Sequence, residues 1–434
     1  MQRSNRINYK RLFTFITVVL VVIAAIAVAI WLAAKNNAEK PKIEAISSLT
    51  PTSTPYVPPT PPPSDSPDES GEPSETLPPD KVTITVKAVG DIAPQTDILA
   101  AALNSSSNTY DFTRLFSKIS EDLASDFTIA SFESVCVDPS VASYSGRGTY
   151  NTPVSFIDAM KGANIDAVTL ANSHILDQGM TGIEQTRAAL DEAGIQAFGA
   201  FTSQEDSAAN RISIVDVQGI KIAVLAYSSE FRNNTRLLSS AQQDYAIYKV
   251  SESTIVADVN SARSLGADVV IVCAHWGELM SDAPTAEQRS IAQSVMEAGA
   301  DVIIGTHAQW VQKITNKDFT HNDGTSGKGI VAYCLGNFVS EYREQYNDTG
   351  IILSLQIEKD MTTGEVTISD PSYISTWIDS YTDGGKTVFE VLPMYKYIDN
   401  QGSLTTESYT RLQAAWKEVQ DKIADAATCV TLSE

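Results

Sequence analysis

Apolar and polar positions recur along residues 82–304 in an order that predicts alternating strands and helices. Short runs rich in Val, Ile and Ala end at a glycine or a polar residue, and amphipathic stretches separate them. Continuous apolar strands separated by helices are typical of mostly parallel sheets that are covered on both faces. The predicted strands are residues 82–89, 127–130, 166–171, 268–273 and 301–304, and the predicted helices are residues 112–123, 153–161, 181–193, 253–265 and 286–298.

Two segments interrupt this alternation and predict hairpins. Residues 211–217 and 220–226 flank a Gln-Gly turn, and residues 330–335 with the strands after Gly350 suggest another pair. We therefore expect a second, more antiparallel sheet stacked on the first. A strand at residues 387–392 and an amphipathic helix at residues 408–427 end the pattern. The fold class predicted from these elements is α/β.

The first residues predict a membrane anchor. Residues 13–34 contain no charge, and about 20 such residues span a bilayer as a helix. Arg3, Arg6, Lys10 and Arg11 precede them, which favours a cytoplasmic segment 1–12 and an extracytoplasmic remainder in a single-pass protein of the cell membrane. A cleaved secretory signal is the alternative, although the apolar run exceeds the usual 7–15 residues of such a signal.

The next segment, residues 35–80, is rich in Pro, Ser and Thr and predicts a disordered stalk, because it cannot bury enough apolar surface to fold. The folded part then divides into a main domain, residues 81–375, and a C-terminal extension, residues 376–434, packed on it.

Composition restricts the partners. The formal net charge is −22, and an acidic surface repels polyphosphates, so nucleic acid is not expected as a partner. The chain has four cysteines, too few to deduce a disulfide framework. Cys273 and Cys334 lie in apolar runs, where we expect buried thiols.

Five motifs place a carboxylate, amide or imidazole just after an apolar run. Residues at the carboxyl ends of parallel strands meet at one edge of a sheet, so these groups are expected to share one pocket. Oxygen and imidazole ligands together indicate a hydrolytic metal centre. The motifs are Val-Gly-Asp91, Ser-Phe-Glu133, Ala-Asn172-Ser173-His174, Cys-Ala-His275-Trp-Gly and Gly-Thr-His307-Ala-Gln309.

The order of these motifs carries a resemblance to a known family. The segment from His275-Trp-Gly-Glu278 through Gly-Thr-His307, followed by Leu-Gly-Asn337-Phe, resembles the CapA-type poly-γ-glutamate capsule synthesis proteins. Upstream, Ile-Ala-Ser-Phe-Glu133 and Leu-Ala-Asn-Ser-His-Ile-Leu-Asp177 are similar to the same family in the same order. The resemblance covers about residues 82–341. It implies a calcineurin-like metallophosphatase fold, a β-sandwich flanked by helices, anchored outside the cell.

The resemblance also implies the site residues. The ligands carried over are Asp91, Glu133, His174, His275 and His307, with Asn337 and Glu278 close by as supporting or substrate-contacting groups, and Asn172 as a weaker ligand. Ser173 stands where the family usually has a ligating asparagine, and Gln309 where it has a histidine. Both are weaker ligands than those they replace, so one divalent ion (Mn, Zn, Fe or Mg) is expected rather than two.

If the site is catalytic, His174 is the expected general acid, with Asp177 behind it to fix its tautomer. Asp177 as a cap for the following helix remains the alternative.

Three functions follow from these expectations. The first is an anchored protein that serves synthesis, attachment or export of a poly-γ-glutamate-like capsule polymer, working with membrane subunits of a polymer synthase or exporter. The second is a metal-dependent hydrolase of a phosphoester or amide in the cell envelope. The third is a non-catalytic scaffold that retains the fold and binds envelope polymer.

Overall fold

The computed structural model describes residues 80–322, 324–423 and 427–429. The predicted membrane segment, residues 13–34, and all of the predicted stalk except Asp80 lie outside the described residues. Within the described ranges no helix has the length and apolar character needed to cross a membrane.

Twenty strands are described. In chain order they are β1 (Lys81–Ile92), β2 (Leu103–Asn104), β3 (Thr109–Tyr110), β4 (Phe127–Phe132), β5 (Ser145–Arg147), β6 (Thr149–Asn151), β7 (Ala167–Thr169), β8 (Gln196–Phe198), β9 (Ser213–Val217), β10 (Ile220–Ser228), β11 (Val269–Trp276), β12 (Val302–His307), β13 (Ile314–Thr320), β14 (Ser326–Ala332), β15 (Asn337–Val339), β16 (Thr349–Asp360), β17 (Val366–Ile368), β18 (Ser372–Asp383), β19 (Lys386–Pro393) and β20 (Thr428–Cys429).

The described α-helices separate or cover these strands. They are α1 (Thr96–Ala102), α2 (Thr113–Phe116), α3 (Ser120–Leu123), α4 (Ser155–Gly162), α5 (Gly179–Ala193), α6 (Gln204–Asn210), α7 (Ser240–Gln243), α8 (Glu252–Ser264), α9 (Ala286–Glu297) and α10 (Thr406–Ile423). Two short 3₁₀ helices, Asn234–Leu237 and Met394–Lys396, lie between them.

Most of the described strands form two large mixed sheets, while β2 with β3 and β5 with β6 form two small two-stranded sheets. The first has the order β19-β18-β16-β1-β4-β7-β8, in which β1, β4, β7 and β8 are parallel to one another, and each of the pairs β1–β16, β16–β18 and β18–β19 is antiparallel. The second has the order β13-β14-β12-β11-β10-β9, with a parallel centre and an antiparallel strand at each edge. Both parallel centres bring strand carboxyl ends to the edge where the site lies.

The continuous apolar strands are buried on both faces of their sheets, because successive side chains point to opposite faces. In β11, Val269, Ile271 and Cys273 face the core between the two sheets. Val270 and Val272 face the opposite side, together with the apolar residues of α8 and α9. Because strand side chains alternate between faces, a run that is apolar at every position is buried on both. The outer face of the first sheet packs on α4 and α5 in the same way, so the layers run helix, sheet, sheet, helix.

The predicted α/β fold with strands alternating with helices is confirmed, with shifts of a few residues at the ends of elements. The predicted helix at residues 112–123 is wrong as one element, because it divides into α2 and α3. The hydroxyl of Ser117 donates to the carbonyl oxygen of Arg114 at 2.9 Å. A serine that bonds to nearby backbone in this way offers the chain an alternative to helix.

The predicted pairing of residues 330–335 with the strands after Gly350 is also wrong. Strand β14 forms its hairpin with β13 and lies in the second sheet, whereas β16 pairs with β1 in the first. The second sheet is also not the more antiparallel one, because the long meander β16–β18–β19 belongs to the first. Apolar alternation specifies which face of a strand is buried but not which strand lies beside it.

The end of the chain continues the first sheet. Strand β18 runs across residue 375, where the main domain was expected to end. Helix α10 packs its apolar residues Leu412, Ala415 and Val419 into the same core that lies between the sheets. The predicted helix 408–427 is described as far as Ile423, and Ala427 is not helical.

Candidate acid and imidazole site

The five motifs meet at the carboxyl ends of strands from both sheets. Asp91 lies near the end of β1, Glu133 follows β4, and residues 172–177 follow β7. His275 and His307 end the neighbouring strands β11 and β12. The fourth histidine, His321, does not join them, and lies in the β13–β14 hairpin within 2.9 Å of the carbonyl oxygen of Met296.

Asp91 is held rigidly in the buried centre of the site. Its Oδ1 accepts from the hydroxyl of Ser131 at 2.8 Å, and its Oδ2 accepts from the backbone amide of His307 at 2.8 Å. Oδ1 also lies 3.5 Å from Nδ1 of His275. Asp91 therefore connects the first sheet to both histidines of the second.

The two histidines, a serine and a glutamate converge around one ring nitrogen. Nε2 of His275 lies 3.1 Å from Nδ1 of His307, 2.9 Å from Oγ of Ser173 and 3.6 Å from Oε1 of Glu133. Oγ of Ser173 is also 3.4 Å from Nδ1 of His307. On the other side of the His275 ring, Nδ1 is 3.0 Å from the hydroxyl of Thr306.

Burial and charge set opposite protonation tendencies in this cluster. Burial alone would disfavour the aspartate anion, but His275, the amide of His307 and Ser131 outweigh it, and the pKa of Asp91 is lowered. Burial also opposes protonation of His275, yet the hydrogen bond and charge of Asp91 raise its pKa above the usual range. Burial and the charge on His275 lower the pKa of His307. Burial and the charge on Asp91 raise the pKa of Glu133. A positive charge on His275 therefore disfavours a second one on His307.

His174 forms a second functional arrangement beside this cluster. Its Nδ1 is 2.5 Å from Oδ2 of Asp177. The aromatic ring of Tyr150 stacks on the imidazole with centroids 3.6 Å apart, and the backbone amide of Tyr150 donates to Asp177 at 2.6 Å. Asn234 donates to the other oxygen of Asp177 at 2.8 Å. Asp177 therefore orients His174, and its side chain does not cap the following helix, for which no side-chain cap exists.

Of the remaining predicted site residues, Asn172 and Asn337 form hydrogen bonds that hold the backbone around the site, whereas Glu278 and Gln309 form no such bonds among the described residues. Asn172 closes the loop, since its amide donates to the carbonyl of Phe132 at 2.7 Å and its oxygen accepts from the amide of His174 at 3.0 Å. Asn337 pairs with Asp91 between β15 and β1 and donates to the carbonyl of Asn347. Glu278 is exposed, and its side chain makes no hydrogen bond or ion pair among the described residues. Oε1 of Gln309 is buried and has no hydrogen-bond partner within the part of the chain that the structure describes.

The imidazole and carboxylate groups of the site are suitable ligands for a divalent ion, although they are not already arranged around one position. Within the described ranges, no set of three or more His, Cys, Asp and Glu side chains is arranged as a metal site. The 3.1 Å between the facing nitrogens of His275 and His307 nevertheless matches adjacent ligands of one ion with bonds of about 2.1 Å. With its proton on Nδ1 toward Thr306 and Asp91, His275 would present a bare Nε2 to that ion. Asp91 then acts from behind the ring.

Several functional neighbours were missed by the sequence analysis. Tyr150 covers His174, Asn234 fixes Asp177, and Thr306 contacts His275. Thr306 adjoins His307 in the Gly-Thr-His motif, so the sequence itself could have indicated it as a neighbour of the site. Tyr150 lies in β6 and Asn234 begins a short 3₁₀ helix, two segments for which the sequence predicts no element and in which no pattern marks them.

The strands, the layers and the clustered acids and imidazoles define an α/β sandwich protein with an acid–imidazole site at the carboxyl edge of its sheets. Residues 85–342 match the family described as "Bacterial capsule synthesis protein PGA_cap". The match covers more than half of the chain, so the chain belongs to this family. The resemblance to CapA-type proteins is confirmed.

Curated relatives agree with this membership. The chain is 26% identical over 268 residues to the capsule biosynthesis protein CapA of Bacillus anthracis, covering 60% of each protein. It is 28% identical over 189 residues to the PGA biosynthesis protein CapA of Bacillus subtilis, covering 42% of this chain and 44% of that one. The aligned part thus spans 60% or less of either relative.

Solved structures that resemble the chain include phosphoesterases. The calcineurin-like phosphoesterase YfkN of Bacillus subtilis superposes with a TM-score of 0.40 at 14% identity, covering 79% of this chain and 98% of that one. A hypothetical protein of Thermus thermophilus superposes with a TM-score of 0.37 at 13% identity, covering 67% and 99%.

Proposed function

We propose that this chain is a membrane-anchored extracytoplasmic protein that serves synthesis, attachment or export of a poly-γ-glutamate-like capsule polymer. The observation that carries the proposal is the family match over residues 85–342, which includes all five motifs of the site. The names of the two Bacillus relatives support the polymer class. The uncharged residues 13–34 and the basic residues before them support the anchor and its orientation.

The proposal is tested by deleting the gene in the bacterium whose genome encodes this chain. Deleting the gene should remove surface-bound anionic polymer, and the wild-type gene should restore it, whereas His275→Ala should not. His321→Ala is the matched control, because His321 lies outside the site and should restore the polymer fully. Unchanged polymer after deletion would remove the proposal.

The site would hold one divalent ion through His275, His307 and Glu133. When bound there, the ion would lower the pKa of a coordinated water and neutralise a substrate oxyanion. Asp91 orients His275 from behind, and Ser173 supplies a hydroxyl between the two imidazoles. Metal content of the purified full-length chain measures this directly. Near-stoichiometric metal in wild type and in His321→Ala, but not in His275→Ala, is expected.

A second candidate is metal-dependent hydrolysis of a phosphoester or amide, favoured by the His174–Asp177 pair. Asp177 fixes the proton of His174 on Nδ1, and charging of the ring would make His174 a proton donor to a leaving group. The ring of Tyr150 covers one face of the imidazole and limits water there. Turnover of phosphodiester or γ-glutamyl substrates that disappears in His174→Gln would support hydrolysis. A metal-free chain that still restores the polymer would instead identify a scaffold.

A further inference from the structure

A small cavity lies between the two sheets, and His275 forms part of its wall. The cavity leaves about 10 Å³ for the centre of a water molecule, which is room for one water and for no larger ligand. Every residue that lines it is at most 7% exposed, so it lies in the interior of the protein. A cavity of this size binds water when its walls offer hydrogen bonds and stays dry when they are apolar.

Three of the residues that line the cavity carry a hydroxyl group, and the alternation of side chains along the strands turns all three into the space between the sheets. Two positions before each of them, the strand has an apolar residue of the core that lies between the sheets. These pairs are Ile129 and Ser131 in β4, Ala167 and Thr169 in β7, and Ile304 and Thr306 in β12. The first two hydroxyls therefore come from the first sheet and the third from the second.

Within the described ranges, each of these hydroxyls has a single hydrogen-bond partner. The partners are Oδ1 of Asp91 for Ser131 at 2.8 Å, the carbonyl oxygen of Ala130 for Thr169 at 3.5 Å, and Nδ1 of His275 for Thr306 at 3.0 Å. A hydroxyl has one donor and two acceptor positions, so all three retain unused capacity. The contact of Thr169 is also too long to be a strong hydrogen bond. Leaving such groups unsatisfied in the interior would cost free energy.

One water satisfies all three hydroxyls when their protons are assigned. Ser131 and Thr169 direct their protons to the partners just named, so toward the cavity their oxygens can only accept. Thr306 accepts the Nδ1 proton of His275 when that ring presents a bare Nε2 to the site, and its own proton is then free to be donated. A water that accepts from Thr306 and donates to Ser131 and Thr169 makes about three hydrogen bonds, the usual number for a buried water.

We infer that this cavity binds one structural water, which bridges Ser131 and Thr169 of the first sheet to Thr306 of the second. By accepting the proton of Thr306, the water leaves the Thr306 oxygen as an acceptor for Nδ1 of His275, and it so holds the imidazole with its bare Nε2 toward the ion. Thr169 is then a positioning residue, because among the described residues its hydroxyl bonds to no group of the site and reaches His275 only through the water. The water is independent of the proposed function, whereas its effect on ion binding rests on that function.

The test counts long-lived internal waters in the purified full-length chain in detergent, by magnetic relaxation dispersion of the water oxygen. Thr169→Val keeps the shape of the side chain but removes one acceptor, and it should lower the count by about one. Thr169→Ser keeps the hydroxyl and should retain the water. Thr376→Val is the matched control, because Thr376 is a buried threonine of the first sheet that does not line the cavity, and its count should equal that of wild type.

The second measurement is the affinity of the same variants for Mn²⁺. Thr169→Val should bind the ion about tenfold more weakly, the effect of losing a group that orients a metal-binding histidine from behind. Thr169→Ser and Thr376→Val should bind as wild type does. A merely structural role of Thr169 would lower the urea midpoint of Thr169→Val without this difference in affinity. Circular dichroism of each variant verifies that folding is retained.

The outcomes separate the water from the proposed function. An unchanged water count in Thr169→Val would overturn the inference, and so would loss of a water in Thr376→Val. Loss of the water in Thr169→Val with unchanged affinity for Mn²⁺ would overturn the positioning role of Thr169. Loss of the water in Thr169→Val, in a protein whose wild type binds no Mn²⁺, would leave the water standing and overturn the ion site of the proposed function.

Discussion

At the scale of single residues, the geometry of the site depends on buried polar groups that each contact more than one partner. Ser173 offers one hydroxyl to two imidazoles, at 2.9 Å from His275 and 3.4 Å from His307. His307 also has φ of +89°, well inside the left-handed region. Strain of this kind persists only where surrounding structure enforces it, here through the bond from the His307 amide to Asp91. The sequence marks the residue types but not these contacts.

A pH-dependent prediction concerns Asp206, which lies apart from the site. Burial opposes its ionisation, but the amide of Thr202, the side chain of Asn210 and the charge of Arg187 lower its pKa. A carboxylate with a lowered folded pKa stabilises the protein above the unfolded pKa of about 3.9, and this contribution is lost as pH falls through the folded value. Asp206→Asn should therefore cost about 1–2 kcal/mol at pH 7 and almost nothing at the acid end of the series.

Urea unfolding along a pH series from neutral to acid measures this difference. Asp318→Asn is the control, since Asp318 is exposed and makes no side-chain hydrogen bond or ion pair within the described ranges, and its stability should follow wild type throughout. If Asp206→Asn lowered the free energy of unfolding by the same amount at every pH, the carboxylate charge would contribute nothing to stability.

At the scale of elements, close backbone approach fixes where β1 delivers Asp91. A Cβ on Gly90 would lie 1.9 Å from the carbonyl oxygen of Gly336, the same carbonyl that accepts from the amide of Asp91 at 3.1 Å. The register between β1 and β4 also shifts between Ala88 and Asp91. This irregularity turns the Asp91 side chain out of the regular strand alternation and into the site.

Gly90→Ala should consequently destabilise the fold by more than about 2 kcal/mol, because the added methyl meets backbone that cannot move aside. The matched control is Gly162→Ala at the end of α4, where no atom lies within 4 Å of the new methyl. The control should change stability by less than about 1 kcal/mol, in the stabilising direction. Urea midpoints compare the two variants, and equal midpoints would contradict the packing argument.

Helix α10 is tied to the first sheet by an ion pair whose carboxylate is buried. Arg411 donates to Asp348 at 2.6 Å and to Glu418 at 2.9 Å, and the indole of Trp377 donates to Asp348 at 2.8 Å. The Asp348 side chain is only 3% exposed. Arg411→Met should cost about 3–5 kcal/mol, since it leaves a buried carboxylate without its cation.

The control for that substitution lies on the same helix. Lys417 and Asp421 form an ion pair at 2.6 Å whose side chains are 75% and 62% exposed. Lys417→Met should cost less than about 0.5 kcal/mol, because water screens the pair. Chemical denaturation of both variants gives the comparison, and a small cost for Arg411→Met would show that α10 is held by its apolar face alone.

At the scale of the whole molecule, we expect the apolar residues 13–34 to decide where the protein resides. Deleting them should move the chain from the membrane fraction to a soluble fraction, because an uncharged apolar run of about 20 residues is what a bilayer-spanning helix requires. Deleting an equally long stretch of the predicted stalk, the Pro-rich residues 58–79, should leave it in the membrane fraction. Immunoblots of fractionated cells measure both. Mass spectrometry of the wild-type protein separates an anchor from a cleaved signal, for which the first residues would be missing.

The pattern of apolar positions determined the α/β class, most strands and helices, and the list of acids and imidazoles at strand ends, because periodicity and burial are local properties of a chain. Only the tertiary structure decided that β14 pairs with β13, that Asp91 lies behind His275, and that Tyr150 covers His174. The membrane segment and the roles of the ligands stay predictions. Strand neighbours and ring contacts join residues far apart in sequence, and their energies depend on distance and burial that no local pattern records.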